Sequence, residues 1–245
     1  MNFAVLFQQV KDNLQFVLVC MVIVAAIILV SRAAEKFWLK GSITRVSSTR
    51  YITICAMLGA ISTVLMLFEF PLVFLAPEFY KLDFSEVPVM IGAFFLGPVG
   101  GVIIELVKIL LKLVIKGTTT AFVGDFANFV IGCSMVVPAS ILYHFHKSRK
   151  MAVISLAAGT LVMTVFGSTF NALYLLPAFS TLYGMPLEAI VAMGTAINSR
   201  INSVSMLVLL AVAPLNLIKG ALVSVITVVL YKHISRALHN TVQQA

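Results

Sequence analysis

The sequence predicts an all-α integral membrane protein, and two observations support this prediction. Of the 245 residues, 61% are hydrophobic and 11% are charged, which is more apolar surface than a soluble domain of this length can bury. The charged residues also separate long uncharged runs, and a helix that spans a bilayer needs about 20 consecutive, mostly apolar residues. Composition and spacing together therefore indicate a bundle of transmembrane helices.

The uncharged runs predict seven helices, near 13–31, 50–68, 83–97, 101–116, 121–144, 152–176 and 201–231. The run after Glu86 is divided at Gly97-Pro98-Val99-Gly100-Gly101, because proline lacks an amide donor and glycines favour a turn. We expect the helices on both sides of this turn to be short. A cleaved signal peptide is the alternative for the first run, but a long apolar stretch followed by basic residues favours a retained helix.

Lysine and arginine collect in three places. These are Arg32, Lys36, Lys40, Arg45 and Arg50; Lys147, Arg149 and Lys150; and Lys232 and Arg236. Seven alternating helices bring all three groups to one side, and short loops rich in Lys and Arg remain in the cytoplasm. We therefore expect the N-terminus outside and the C-terminus inside. The net charge of +8 is then explained by topology and anionic lipid, not by nucleic acid.

Catalytic, metal and nucleotide sites find little support in the sequence. The three cysteines lie singly in predicted helices, without metal-ligand spacing. Gly124-Asp125 lacks the second aspartate that an aspartyl protease needs to share a proton. A glycine-rich loop ending in Gly-Lys-Ser or Gly-Lys-Thr, which would bind ATP phosphates, is missing as well. We expect a binding protein that is not an enzyme and has no cofactor, so uphill transport would require another subunit or an ion gradient.

Polar residues inside predicted helices are the candidate ligand-binding groups, because their desolvation must be offset by partners, water or a ligand. Asn216 and Lys219 are three residues apart and share one helix face. Lys219 has two alternatives, pairing with a carboxylate such as Glu105 or reaching toward an interface. Asn128 and Asn171 lie at similar depth in the outer half of their helices, which suggests that they converge, although either amide could instead bond a neighbouring helix.

Glu105 and Lys108 are spaced to share one face of the fourth predicted helix. They can line a wet cavity or form an ion pair that serves packing alone. The segment 70–77 is apolar, bounded by prolines and too short to span, so it either dips into the bilayer or caps a cavity as a lid. Leu72, Phe74 and Leu75 are its candidate contacts with a ligand. Ala56 and Ala60 form a small-residue face that favours close approach of another helix, as either internal packing or a docking stripe for a partner.

In order and spacing, these motifs resemble the substrate-binding S-components of energy-coupling factor (ECF) vitamin transporters, most closely the riboflavin-specific ones. The resemblance covers about residues 50–235. It is carried by the segments 56–60, 70–72, 82–88, 96–103, 105–108 and 126–129, by Asn171 and by 216–219. The resemblance implies a six-helix bundle in the bacterial cytoplasmic membrane that binds riboflavin with high affinity as transported substrate. It also implies a transmembrane coupling subunit and two cytoplasmic ATPases as partners.

By motif match, Asn171, Asn216 and Lys219 would bond the flavin, the 70–80 loop would cap it, and Ala56 and Ala60 would meet the coupling subunit. The resemblance implies pocket roles for Glu105 and Asn128 with less support. The first predicted helix has no counterpart in six-helix S-components. We therefore expect an extra helix with a basic linker over 1–49, an S-component domain over 50–235 and a tail over 236–245. An S-component for another vitamin, an autonomous secondary transporter and a structural membrane subunit are the alternatives.

Overall fold

The apolar runs are helical in the computed structural model, which describes residues 14–43, 46–118, 120 and 122–243. The α-helices are α1 (Leu14–Ala33), α2 (Ser48–Leu67), α3 (Glu86–Leu96), α4 (Pro98–Lys116), α5 (Val123–Phe145), α6 (Arg149–Phe170), α7 (Leu176–Tyr183), α8 (Leu187–Ile197), α9 (Val204–Leu207) and α10 (Ala213–Gln243). Two short strands, β1 (Phe70–Pro71) and β2 (Lys81–Leu82), pair antiparallel, with Phe70 opposite Leu82. They close a loop over residues 68–85, which we name the lid.

The prediction of seven spanning helices is not confirmed by length and composition. Within the described part of the chain, five stretches are long and apolar enough to cross a membrane. They are Leu18–Trp38, Ser48–Leu67, Val123–Phe145, Arg149–Leu182 and Val204–Tyr231. Of the other two predicted spans, α4 carries four charged residues, and α3 has 11 residues, about 16 Å at 1.5 Å per residue. Every residue of α3 is buried, so protein and not lipid surrounds this helix.

Among the residues that the structure describes, three π-helical turns interrupt the regular helices, over Ala34–Trp38, Asn171–Leu175 and Val208–Val212. The last two each lie just before a proline, Pro177 and Pro214. Proline donates no hydrogen bond and its ring crowds the carbonyl four residues earlier, so the helix widens locally. These two turns join α6 to α7 and α9 to α10, and they place polar side chains beside the lid.

The bundle has two distinct ends. At the lid end lie the lid, the α4–α5 connection and the two proline-linked π turns. At the other end, the α1–α2 and α5–α6 connections carry two of the predicted basic groups, and we name this the basic end. Arg45 and the side chains of Lys232 and Arg236 lie outside the described residues. Helix α10 continues to Gln243, so no helix end separates the predicted tail at 236–245 from it, and residues 244 and 245 are outside the description.

The extra N-terminal helix packs on α4 and α5. Ile23, Val24 and Ile27 contact an apolar cluster that includes Val130. After α1, the carboxylate of Glu35 accepts a hydrogen bond from the backbone amide of Val99 at 2.9 Å. This contact attaches the end of α1 to the first turn of α4, where unpaired backbone amides favour an anionic acceptor.

Candidate ligand-binding site

A cavity of about 350 Å³ lies at the lid end, within the size range of pockets that hold small molecules. The lid, the α4–α5 connection and the two proline-linked π turns surround it. Apolar side chains, among them Ile131, Leu175 and Leu215, form part of its wall. The remaining wall is polar and contains amides and charged groups that come from distant parts of the chain.

Four of the predicted binding residues line this cavity together, namely Asn128, Asn171, Asn216 and Lys219. The structure does not bring the other four to its wall. Glu105 is fully buried beneath it. Leu72 and Leu75 pack against the apolar cluster around Leu176, and the side chain of Phe74 points outward, with 74% of its surface exposed.

Phe79, Tyr80 and Asp83 of the lid also line the cavity, and none of them was among the predicted binding residues. Phe79 lies edge-on to Phe179 of α7, with ring centroids 5.8 Å apart. Apart from Glu69, the lid therefore faces the cavity with its second half and not with the predicted 72–75 segment. The apolar, proline-bounded segment 70–77 indicates a lid, but its residues follow no period that would show which side chains point inward.

Asn171 begins the π turn after α6 and is buried, with 2% of its surface exposed. Its amide nitrogen donates to the carbonyl of Gly167 at 2.7 Å, and its amide oxygen accepts from the hydroxyl of Tyr80 at 2.9 Å. The lid and the α6–α7 junction are thus joined by a hydrogen bond between side chains. Both partners line the cavity, so this bond lies at its wall.

Asn216 lies one turn into α10, and its amide nitrogen has no hydrogen-bond partner among the described residues. The side chain packs against Gly167, where a Cβ would come within 2.9 Å of the amide nitrogen. Burying an amide without a partner costs about 1–3 kcal/mol. A ligand acceptor in the cavity would remove this cost, so Asn216 is a candidate ligand donor.

Lys219 is paired with a carboxylate, as one of the two alternatives predicted, but its partner is not Glu105. Its ammonium lies 3.0 Å from Asp83 of the lid and 3.7 Å from Glu86 at the start of α3. Glu86 also lies 3.0 Å from Lys108, which pairs with Glu105. Three carboxylates and two ammonium groups thus form one buried network, which extends from Asp83 and Lys219 on the cavity wall to Glu105 beneath it. The predicted ion pair between Glu105 and Lys108 is part of it.

The rim of the cavity is held by a second set of ion pairs. Glu69 lies 2.6 Å from Lys116 of α4 and 2.8 Å from Lys81 of β2. Burial raises the pKa of Glu69, but the hydrogen bonds from Lys116 and Lys81 outweigh this effect, so its pKa lies below the usual value. Deeper in the rim, Lys112 pairs with Asp125 and donates to the carbonyl of Gly117. These pairs fasten the lid and the start of α5 to α4.

This arrangement suits a ligand without net charge. Among the described residues, each lysine on the cavity wall is paired with a carboxylate. The groups left to bond a ligand are amides and those hydrogen-bond donors and acceptors of the paired side chains that their partners do not use. Within the same residues, no group of three or more His, Cys, Asp or Glu side chains could hold a metal ion.

Ala56 and Ala60 lie on an exposed face of α2, away from the cavity. The neighbouring Gly59 is buried and meets α4 so closely that a Cβ would come within 2.5 Å of Val107. Glycine thus supplies the internal close packing of α2. The two alanines, in contrast, make a smooth surface outside the bundle.

Comparison with known proteins assigns the family. The model of the family "ECF transporter, substrate-specific component" matches residues 50–231. The riboflavin transporter FmnP of Bacillus subtilis is 33% identical over 71% of this chain and 86% of its own length. The riboflavin transporter RibU of Staphylococcus aureus is 35% identical over 77% of this chain and 92% of its own length.

A solved structure, described as the S component of a bacterial ECF transporter, matches with a TM-score of 0.61 and 34% identity. The match covers 78% of this chain and 99% of that one. Helix α1 precedes the segment matched by the family model. The chain is therefore a member of the substrate-specific components of ECF transporters, an all-α family of membrane transport proteins that are not enzymes.

Proposed function

We propose that this chain is the riboflavin-binding subunit of an ECF transporter and that riboflavin occupies the lid-end cavity. The observation that carries the proposal is the cavity wall, which combines apolar side chains with Asn128, Asn171, Asn216 and a charge-paired Lys219. Riboflavin has no net charge at neutral pH, a flat ring system with a polar edge, and a hydroxylated chain. Such a ligand needs apolar contact and directed hydrogen bonds more than it needs a counter-charge. The names of the two relatives support the same ligand.

Titration of purified protein with riboflavin, followed by quenching of flavin fluorescence, tests this proposal. We expect tight binding, and we expect Asn216→Ala or Lys219→Ala to weaken it about tenfold or more, the cost of one or two hydrogen bonds. Asn202→Ala and Lys150→Ala are matched controls, because both residues are exposed and do not line the cavity. Protein that neither retains a yellow ligand nor quenches flavin would contradict the assignment and favour another vitamin.

We further propose that the exposed face at Ala56 and Ala60 docks on a transmembrane coupling subunit, which two ATPases drive. A small-residue face open to the membrane favours close helix packing. Ala56→Trp or Ala60→Trp should abolish uptake by cells while riboflavin binding stays unchanged. Ala26→Trp is the matched control, because Ala26 is exposed on α1. Riboflavin uptake into liposomes by the isolated chain under an ion gradient would instead indicate an autonomous transporter.

The same proposal includes topology and domain organisation. Two described basic connections lie at the basic end, opposite the cavity, which supports a cytoplasmic basic end, an outward-facing cavity and an N-terminus outside. The family match supports an S-component domain over 50–235, preceded by an extra helix and linker over 1–49 and followed by a tail over 236–245. Labelling of single cysteines at Lys40 and Glu78 by a membrane-impermeant reagent in intact cells tests the topology. Glu78 should react and Lys40 should not.

A further inference from the structure

Tyr80 joins the lid to the cavity wall. It directly precedes β2, is 8% exposed, and lines the cavity. Its ring lies 4.5 Å from that of Phe79, which contacts Phe179 of α7. Its hydroxyl reaches Asn171, 91 positions further along the chain. Tyr80 can make this bond when this part of the lid lies against the α6–α7 junction, so the bond reports a closed lid.

The hydrogen bonds of Asn171 determine which way its amide faces. The carbonyl of Gly167 can only accept, so the end of the amide 2.7 Å away from it must be the NH2 group. The amide oxygen then faces Tyr80, and the tyrosine hydroxyl must donate to it. Gly167 alone therefore sets which end of the amide is the donor, and the bond from Tyr80 occupies one lone pair of the amide oxygen and holds the plane of the amide. With both partners present, one N–H and one oxygen lone pair of Asn171 remain, in fixed directions.

We propose that Tyr80 is a positioning residue for the ligand, because its hydrogen bond fixes the direction of the N–H and the oxygen lone pair that Asn171 has left for a ligand and couples them to closure of the lid. The inference rests on the proposed function and extends it from Asn171 to a residue of the lid. The ligand group that suits such an amide is an adjacent carbonyl and N–H, as on the pyrimidine edge of a flavin. Lid closure and recognition of that edge are then one event, since Tyr80 reaches Asn171 from the lid.

Tyr80→Phe removes the hydroxyl and keeps the ring with its apolar contacts. We expect riboflavin affinity to fall about tenfold, the cost of one hydrogen bond to a buried amide, mainly through faster dissociation. The visible absorption band of the bound flavin should also shift, because the hydrogen bonds to its ring change. Tyr174→Phe is the matched control, since Tyr174 lies on the same π turn but does not line the cavity. It should alter neither affinity nor the absorption band.

A double-mutant cycle separates positioning from general support of the lid. Once Asn171→Ala has removed the group that Tyr80 orients, adding Tyr80→Phe should weaken binding no further. An equal loss in both backgrounds would overturn the inference, because Tyr80 would then act independently of Asn171. Tight binding and an unchanged spectrum in Tyr80→Phe would also overturn it, while leaving the proposed function intact. Failure of the unaltered protein to bind riboflavin would contradict both proposals. The melting temperature of each ligand-free variant checks that it is folded.

Discussion

The two ends of the bundle use their polar groups differently. At the basic end, several polar side chains bond packing partners: Ser140 donates to the carbonyl of Ala93 at 2.8 Å, and the hydroxyls of Tyr143 and Tyr231 bond each other. Phe94 stacks on Tyr143 with ring centroids 4.2 Å apart. At the lid end, the charged network and Asn216 surround a cavity. Changes at the basic end should therefore affect stability without affecting ligand binding, whereas changes on the cavity wall should affect ligand binding, and changes in the buried charged network should affect stability as well.

The same helices form both ends of the bundle, so the contrast between the ends arises along the length of each helix. Helix α6 packs tightly on α5 near Gly159, then opens through a π turn at Asn171–Leu175 beside the cavity. Helix α10 follows another π turn and presents Asn216 and Lys219 to the cavity before it reaches Tyr231. Proline-linked widening at one end thus allows a cavity in a bundle that is closely packed at the other end.

The largest expected effect is at Lys108, beneath the cavity. Lys108→Met leaves Glu86 and Glu105 buried without the ammonium they share. Breaking a buried ion pair in this way destabilises a protein by about 3–5 kcal/mol. The melting temperature of the purified protein should fall sharply. Lys116→Met is the control at the rim, where 39% of the lysine side chain is exposed, and it should cost about 1 kcal/mol or less. Equal melting temperatures for the two variants would contradict a supporting role for the buried network.

A smaller loss of stability is expected at Gly159, where α6 crosses α5. A Cβ at this position would come within 2.7 Å of the carbonyl oxygen of Met135, a backbone atom that cannot rotate away. Gly159→Ala should separate the two helices and cost about 1–3 kcal/mol, the usual penalty of overpacking. Riboflavin affinity at a temperature where the variant is folded should stay within about twofold. A large loss of affinity without a loss of stability would contradict the contrast between the two ends.

Gly167 lies two turns further along α6 and should give the opposite result. A Cβ there would come within 2.9 Å of the amide nitrogen of Asn216, a side-chain atom that can move. Gly167→Ala should displace this amide and lower riboflavin affinity about tenfold, with a smaller loss of melting temperature than Gly159→Ala. Fluorescence titration and thermal unfolding of both glycine variants measure the contrast directly. Unchanged affinity in Gly167→Ala would contradict the role of Asn216 as a ligand donor.

Part of this contrast could be predicted from the sequence. Asn128, Asn171, Asn216 and Lys219 stand out because lipid makes polar groups inside helices costly, and the structure places all four on one cavity. The distribution of uncharged runs also predicted where the long helices run. It did not distinguish α3, which is buried by protein, from a helix exposed to lipid, because both surroundings favour the same apolar residues.

Contacts between distant residues were beyond prediction from sequence alone. Lys219 pairs with Asp83, 136 positions earlier, and no local spacing indicates this partner over Glu105. The lid shows a second limit, since Phe79 and Tyr80 face the cavity where Leu72, Phe74 and Leu75 were expected. Orientation in an irregular loop depends on tertiary contacts such as the one between Phe79 and Phe179, not on periodicity. The short helix α8 was missed because its 11 residues are fewer than a span requires.

The smallest expected effect concerns the rim and its response to acid. Glu69 has a lowered pKa in the folded protein, so its ion pairs stabilise the closed lid above the ordinary glutamate pKa of about 4.3. This contribution is lost as the pH falls through the lowered value. Riboflavin should then dissociate faster, by no more than about fivefold, since exposed ion pairs contribute about 1 kcal/mol or less. Stopped-flow release of riboflavin between pH 7 and acid pH measures this dependence.

Glu69→Gln separates the rim from the buried network in this experiment. The variant keeps the shape of the side chain but loses its charge. It should therefore release riboflavin at neutral pH as fast as the unaltered protein does in acid. High salt should speed release from the unaltered protein but not from the variant. Both Lys81 and Lys116 have exposed side chains, which is why salt can screen them. The pair between Lys219 and Asp83 is mostly buried and should respond much less to salt. A variant that kept the full acid dependence would therefore locate the titrating group in the buried network and not at the rim.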